Sequence, residues 1–259
     1  MAIFTGTIKS NVLDMKTKLT IVTPQEIFDV DETCKVVYLL HGMSDDCGDW
    51  HANAQLTLLS NAYNVIFILP EVQRSFYTNM YYGLNYFTYI VDELPKICQK
   101  LFNISSKRED TYVMGLSMGG YGALKCALSR PEQYAGCGAF SAACSLADCV
   151  DLCNPAQYRE FQAVFGPNLE LLEENEVMNI AKECQHSAVK PKIFMTCGTE
   201  DFIYNQSVKF RDFMKDIDIP YIYQEWSGIH EWYFWNKSLH LACDHFFKRV
   251  TEENYCNVK

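Results

Sequence analysis

A chain of 259 residues with 49% hydrophobic residues has enough apolar material for one large domain around a single core. A formal net charge of −10 repels nucleic acid and anionic membrane surfaces, so neither is an expected partner. No run approaches the length of a bilayer span. Residues 1–7 lack a charged segment leading into an apolar stretch, and the expected location is therefore the cytoplasm. Twelve cysteines are spread along the chain without any C-x-x-C pair, which points to reduced thiols and to no metal site, even at the densest group, Cys144, Cys149 and Cys153.

In chain order, residues 4–13 and 17–23 read as two extended segments forming an opening hairpin, the second ended by Pro24. Residues 35–40 (KVVYLL) form a short apolar run of the kind seen in strands buried on both faces, and it stops at His41-Gly42-Met43-Ser44. Asp49 is positioned to cap a helix starting at Trp50 and running through Leu56, Leu58 and Leu59. Residues 64–69 read as the next strand, closed by Pro70, and an aromatic-rich loop, 74–83, follows. Phe87, Ile90, Val91, Leu94, Ile97 and Leu101 have helical spacing, with a kink expected at Pro95.

Residues 112–116 are a further strand running into a helix from Ala123 to Leu128, and 134–141 another strand. Alternating strands and helices of this kind predict an α/β fold, a mostly parallel central sheet with helices on both faces. The rhythm breaks over 142–190, which contains Pro155, Gly166-Pro167 and an acidic helical stretch, 169–184. This stretch reads as a helical, cap-like insertion over the carboxyl ends of the strands, within a single domain spanning 1–259. Strand 192–197, a helix around 208–214, strand 221–226 and a final helix with Trp232, Trp235, Leu239, Ala242, Cys243, Phe246 and Val250 on one stripe complete the series, and 251–259 reads as a polar tail.

Between the strand at 112–116 and its helix lies Gly115-Leu116-Ser117-Met118-Gly119. This composition yields only about 0.03 Gly-x-Ser-x-Gly pentamers by chance, and the strand-to-helix context makes coincidence rarer still. A sharp strand-to-helix turn of this type holds a serine hydroxyl clear of the backbone, and small flanking residues avoid collisions there. The rival reading is a Gly-rich turn with an ordinary serine capping the helix. A serine nucleophile needs a histidine base and a carboxylate to orient it, and in this class of fold they follow in the order Ser, acid, His, each after a strand. Ser117, Asp201 and His230 meet that order. Glu200 is the rival acid. His41 and His51 precede the serine, His186 lies in the insertion, and His240 and His245 fall on the final helix. The oxyanion of the tetrahedral intermediate needs two backbone N–H donors. Met118, next to the nucleophile, is one; Met43, with Gly42 as the near alternative, is the other.

The segments 40–44 (LHGMS), 74–78 (RSFYT), 115–123 (GLSMGGYGA), 197–202 (CGTEDF) and 230–235 (HEWYFW) resemble the esterase D-type family of α/β-hydrolases, which includes tributyrin esterases, feruloyl esterases and S-formylglutathione hydrolases. The resemblance implies the α/β-hydrolase fold and a serine carboxylesterase with Ser117, Asp201 and His230 as its triad, nearer the tributyrin and feruloyl esterase branch. The expected substrates are small-molecule esters with short-chain or aromatic acyl groups, with no metal or organic cofactor. Trp50, Tyr77, Phe161 and Trp232 are candidate pocket walls. An S-formylglutathione thioesterase, an acyltransferase and a binding protein on an inactive hydrolase scaffold are the alternatives, and a homo-oligomer is compatible with the sequence.

Overall fold

The computed structural model describes residues 1–25 and 34–250. Among these residues eight strands form one sheet in the order β1-β2-β4-β3-β5-β6-β7-β8. They are β1 (Ala2–Ser10), β2 (Met15–Thr23), β3 (Lys35–Leu40), β4 (Val65–Pro70), β5 (Thr111–Leu116), β6 (Gly136–Phe140), β7 (Lys192–Gly198) and β8 (Tyr221–Trp226). β2 runs antiparallel to both β1 and β4, and every other neighbouring pair is parallel.

Alternation along the central strands explains why the sheet is covered on both sides. Val36, Tyr38 and Leu40 of β3 enter one core with Ile66, Ile68, Val113 and Met195, whereas Val37 and Leu39 enter a second with Val65, Phe67, Met114 and Phe194. The second core is closed by α1 (Asp49–Asn53), α2 (Leu56–Tyr63) and the last helix of the chain. The first is closed by α3 (Tyr86–Thr88), α4 (Leu94–Phe102), α5 (Met118–Ser129), α6 (Leu146–Asp151), α7 (Pro155–Phe165), α8 (Val177–Cys184) and α9 (Tyr204–Met214). The last helix, α10 (Trp232–Phe246), buries Phe234, Trp235, Ser238, Leu239, Ala242 and Cys243.

The strands fall within three residues of their expected positions, the first, expected at 4–13, departing most, and the helices depart more. The helix expected from Trp50 through Leu59 is two, because Ala54 turns extended between them; Asp49 sits in the first turn of α1 and its carboxylate accepts the Asp46 N–H at 2.7 Å. Pro95 does interrupt its helix, in the form of a π-helical turn, Tyr89–Glu93, in which the Leu94 N–H reaches the Tyr89 carbonyl. The acidic stretch 169–184 is helical from Val177 only, after a 3₁₀ turn at Glu173–Asn175. α9 starts earlier than expected, at Tyr204. Val250 lies beyond α10 and donates its N–H to Ala62 O at 2.8 Å. The tail reading of 251–259 falls outside the described residues.

α5 is seated very closely on the ends of β3 and β5. A β-carbon at Gly119 would lie 2.3 Å from the Leu40 carbonyl oxygen, and one at Gly115 would lie 2.4 Å from the Gly119 carbonyl oxygen. Both obstructions are backbone and cannot rotate away. Gly119→Ala is therefore expected to cost at least about 3 kcal/mol of folding stability, read as a lower midpoint in urea unfolding.

Candidate active site

Ser117 occupies the junction of β5 and α5 with φ +53° and ψ −118°, a conformation a side-chain-bearing residue adopts only under constraint. The constraint is visible. The Ser117 N–H donates to Phe140 O at 2.9 Å, and its carbonyl accepts from Tyr121 N at 3.0 Å and Ala143 N at 3.2 Å. β6 and the start of α5 thus clamp the turn from two sides.

Asp201 and His230 come from the turns after β7 and β8. His230 Nδ1 lies 2.9 Å from Asp201 Oδ2 and 3.0 Å from Oδ1, with the carboxylate fully buried and the imidazole 17% exposed. Because Nδ1 faces a carboxylate, it carries the ring proton, and Nε2 is left as an acceptor. Asp201 Oδ1 also accepts the Ile203 N–H at 3.1 Å, so the acid both orients the imidazole and steadies the entry to α9. Glu200, the rival acid, points elsewhere. Its carboxylate accepts the Gly228 N–H at 2.6 Å, which holds it below the usual glutamate value, and its own N–H donates to Gly228 O at 3.1 Å. Glu200 thereby braces the loop that carries His230. The imidazole is packed between Phe202 (ring centroids 4.6 Å apart) and Trp235 (4.9 Å).

Among the described residues the Ser117 hydroxyl makes no direct hydrogen bond, to His230 or to any other group. Ser117 instead opens into a cavity of about 160 Å³ whose lining includes Phe202, the residue that covers the His230 ring. Met43 and Met118 line the same cavity. Their N–H groups meet no acceptor among the described residues, Met118 because it opens α5. Gly42 differs, since its N–H donates to Asp45 Oδ2 at 3.0 Å. Of the two residues considered in this loop, the open donor is Met43.

The loop is fixed from behind. His41 is buried, with Nδ1 2.7 Å from Gly42 O, and its Nε2 accepts Val72 N–H at 3.2 Å. Tyr77 donates its hydroxyl to His41 O at 2.9 Å, and Trp50 donates its indole N–H to Leu40 O at 2.9 Å. Both rings are fully buried, which corrects their reading as pocket walls: they shape the loop from the core. Trp232 stacks edge-on against Trp50 and Trp235 and is not among the residues of the Ser117 cavity. Phe161 of α7 does line it. Phe76, Cys149, Leu152, Cys153, Gln157 and Phe202 line it as well and were not singled out by the sequence reading. Burial pushes the Cys149 thiol up to about 12 and raises that of Cys153, so both are neutral wall atoms at physiological pH. Elsewhere, ligand atoms of Asp46, Cys47 and Glu71 come within 4.8 Å of one another, but the Glu71 carboxylate is occupied by the N–H groups of Cys47 and Gln73.

Comparison with known proteins shows the family and the fold. The chain matches the family described as "Putative esterase" over residues 10–246. It belongs to that esterase family. It is 35% identical over 218 residues to an acetyl esterase of Caldicellulosiruptor saccharolyticus, covering 81% of this chain and 82% of that one. Its fold superposes on the substrate-bound fluorophosphonate-binding serine hydrolase F of Staphylococcus aureus with a TM-score of 0.85 at 28% identity, over 95% of this chain and 98% of that one. An S-formylglutathione hydrolase of Staphylococcus aureus superposes with a TM-score of 0.83, also at 28% identity and with the same coverage. The esterase therefore has the α/β-hydrolase fold, and it is a carboxylic ester hydrolase of the serine type. Among the described residues no helix is long and apolar enough to cross a membrane.

Burial raises the Asp45 carboxyl above its usual value, against the smaller opposing effect of the Gly42 N–H. A carboxylate raised in this way weakens the fold progressively as pH climbs from the unfolded value of about 3.8 through the folded one. Asp45→Asn keeps an oxygen for Gly42 and removes the charge, so at about pH 7 it should unfold at an equal or higher urea concentration than the parent, with the gap closing below about pH 4. Asp45→Ala also loses the hydrogen bond and should be less stable than Asp45→Asn by about 1 kcal/mol.

Proposed function

We propose that Ser117, His230 and Asp201 form the catalytic triad, with the Met43 and Met118 N–H groups as the oxyanion hole. The observation that carries this reading is the convergence on one cavity of a strained, half-buried serine turn, two unpaired backbone donors and the residue covering the Asp201–His230 pair. A direct Ser–His hydrogen bond is often long or absent before substrate arrives, and the chemistry needs it only once the carbonyl is in place.

In the first step the Ser117 Oγ attacks the ester carbonyl carbon while its proton passes to His230 Nε2. The negative oxygen that results is met by the N–H groups of Met43 and Met118. Each donor of this kind is worth about 2.7–4 kcal/mol in the transition state. Asp201 keeps its negative charge and steadies the imidazolium through Nδ1–H. The carbon–oxygen bond to the alcohol then breaks, and His230 returns the proton to the leaving oxygen. Water, deprotonated by His230, cleaves the acyl-enzyme, releasing the carboxylic acid and restoring Ser117.

The chain acts as a single domain in which residues 142–190 cap the site. α6 and α7 contribute Cys149, Gln157 and Phe161 to the cavity, with Leu152 and Cys153 between them, and Arg74 ties α7 to the oxyanion loop by pairing with Glu160 at 2.7 Å and donating to Met43 O at 3.2 Å. The cavity is small and mostly apolar, which favours short-chain acyl groups, acetyl first, in keeping with the acetyl esterase relative. Thioester hydrolysis of S-formylglutathione is the second reading. It is favoured by the Staphylococcus aureus S-formylglutathione hydrolase neighbour and is separated by assaying that thioester beside p-nitrophenyl acetate.

Ser117→Ala is expected to lower kcat for p-nitrophenyl acetate by about 10⁴-fold or more and to abolish fluorophosphonate labelling. Unchanged turnover in that variant would reject the triad. Phe161→Ala enlarges the cavity beside the serine and should raise the ratio of butyryl to acetyl kcat/KM by about tenfold, measured on the paired p-nitrophenyl esters.

A further inference from the structure

Lys125 lies two turns beyond Ser117 on α5 and takes no part in the chemistry above. Its side chain is 4% exposed. The ammonium donates one hydrogen bond, to Thr78 Oγ1 at 2.7 Å, and faces the rings of Phe87 at 5.0 Å and Tyr121 at 5.7 Å. Among the described residues no carboxylate forms an ion pair with it, and its two other donors meet no acceptor. A cation taken out of water in this way is costly unless a counter-charge accompanies it.

The space for a counter-charge is present. A cavity of about 330 Å³ lies against Lys125, and it shares no lining residue with the Ser117 cavity. Its wall adds Arg130, Ser129, Asn79 and Asn175, with Glu174 as the only acidic residue among the described ones. Arg130 stands over Phe87 at 5.5 Å and is only loosely paired with Asp92, at 3.9 Å. Two cations thus flank one ring and share one opening.

We propose that this cavity is a binding site for a small oxyanion of low charge, a carboxylate or a phosphate, held between Lys125 and Arg130. The single negative charge of Glu174 selects against highly charged ligands and weakens binding overall. The charged and titratable groups facing Lys125 are Glu174, Arg130, Cys126 and the Tyr121 hydroxyl, the last donating to Asn175 O at 2.8 Å. Burial pushes the Lys125 amine down to about 7 when no anion is present. Binding therefore weakens as the pH rises through that value and the amine loses its proton.

The test is a titration of the purified protein with sodium phosphate, and separately with sodium acetate, at constant ionic strength set with chloride, read as amide NMR shifts and as melting temperature. The expected result is saturable binding of at least one of them, tighter at about pH 6 than at about pH 9. The anion that binds more tightly identifies the ligand source as free phosphate or carboxylate. Lys125→Met should abolish saturation, Arg130→Gln should weaken it by about fivefold, and Glu174→Gln should tighten it by about as much. Arg130 and Glu174 lie at the rim, so their variants decide the matter even where Lys125→Met does not fold. No saturable binding of either anion, or affinities unchanged by Arg130→Gln and Glu174→Gln, would overturn the proposal.

Discussion

The contact on which the molecule depends is backbone against backbone, the first turn of α5 resting on the carbonyl of Leu40. With no side chain at 119, the helix comes close enough to β3 for the turn before it to be bent into a conformation that Ser117 would not otherwise hold. Three of the site's features follow from that approach. The half-buried serine faces the cavity at the end of its strand, the opening N–H of α5 is left without an intrahelical acceptor, and the loop after β3 is brought alongside it. The Phe140 and Ala143 hydrogen bonds then keep the strained turn from relaxing.

Much of this could be read from the chain because the relevant signals are local. The short apolar run 35–40 coincides with β3, since a strand buried on both faces admits little else, and 221–226 coincides with β8, a half-exposed edge strand whose aromatic and β-branched residues carry the signal. The glycines around Ser117 announce a close approach before its partner is known. The order of Ser117, Asp201 and His230 along the chain anticipated that Asp201 and His230 would meet, and their contact is in the structure. What sequence could not separate were pairs of neighbours competing for one role. Glu200 and Asp201 differ by one position, and the choice depends on which carboxylate Gly228 claims. Gly42 and Met43 likewise differ by one, and only the Asp45 side chain shows which N–H is already used.

The pocket was the least legible part, for a physical reason. Aromatic residues near the motifs, such as Trp50 and Tyr77, satisfy their polar atoms on the carbonyls of Leu40 and His41 and so belong to the core. Much of the cavity wall comes instead from α6, α7 and the residue after Asp201, segments whose placement depends on packing at long range. Periodicity failed in the same region. Residues 169–184 have helical composition, yet the chain turns at Glu173–Asn175 so that Asn175 O can accept the Tyr121 hydroxyl. A tertiary hydrogen bond decided there what local propensity could not.

The lining around Ser117 carries four sulfur atoms, those of Met43, Met118, Cys149 and Cys153. Thioethers on unbranched stems change rotamer at little energetic expense, and thiols are slim enough to yield space. Such a wall moulds itself to its guest more readily than a rigid aromatic slot does, so discrimination between branched and linear acyl chains should be gradual. Softness has a second side. Met118 is 1% exposed and both thiols are held neutral, so the half-buried Met43 is the sulfur within reach of peroxide, and its conversion to the sulfoxide would set a strong dipole beside Ser117, making activity sensitive to oxidative conditions without any change to the serine.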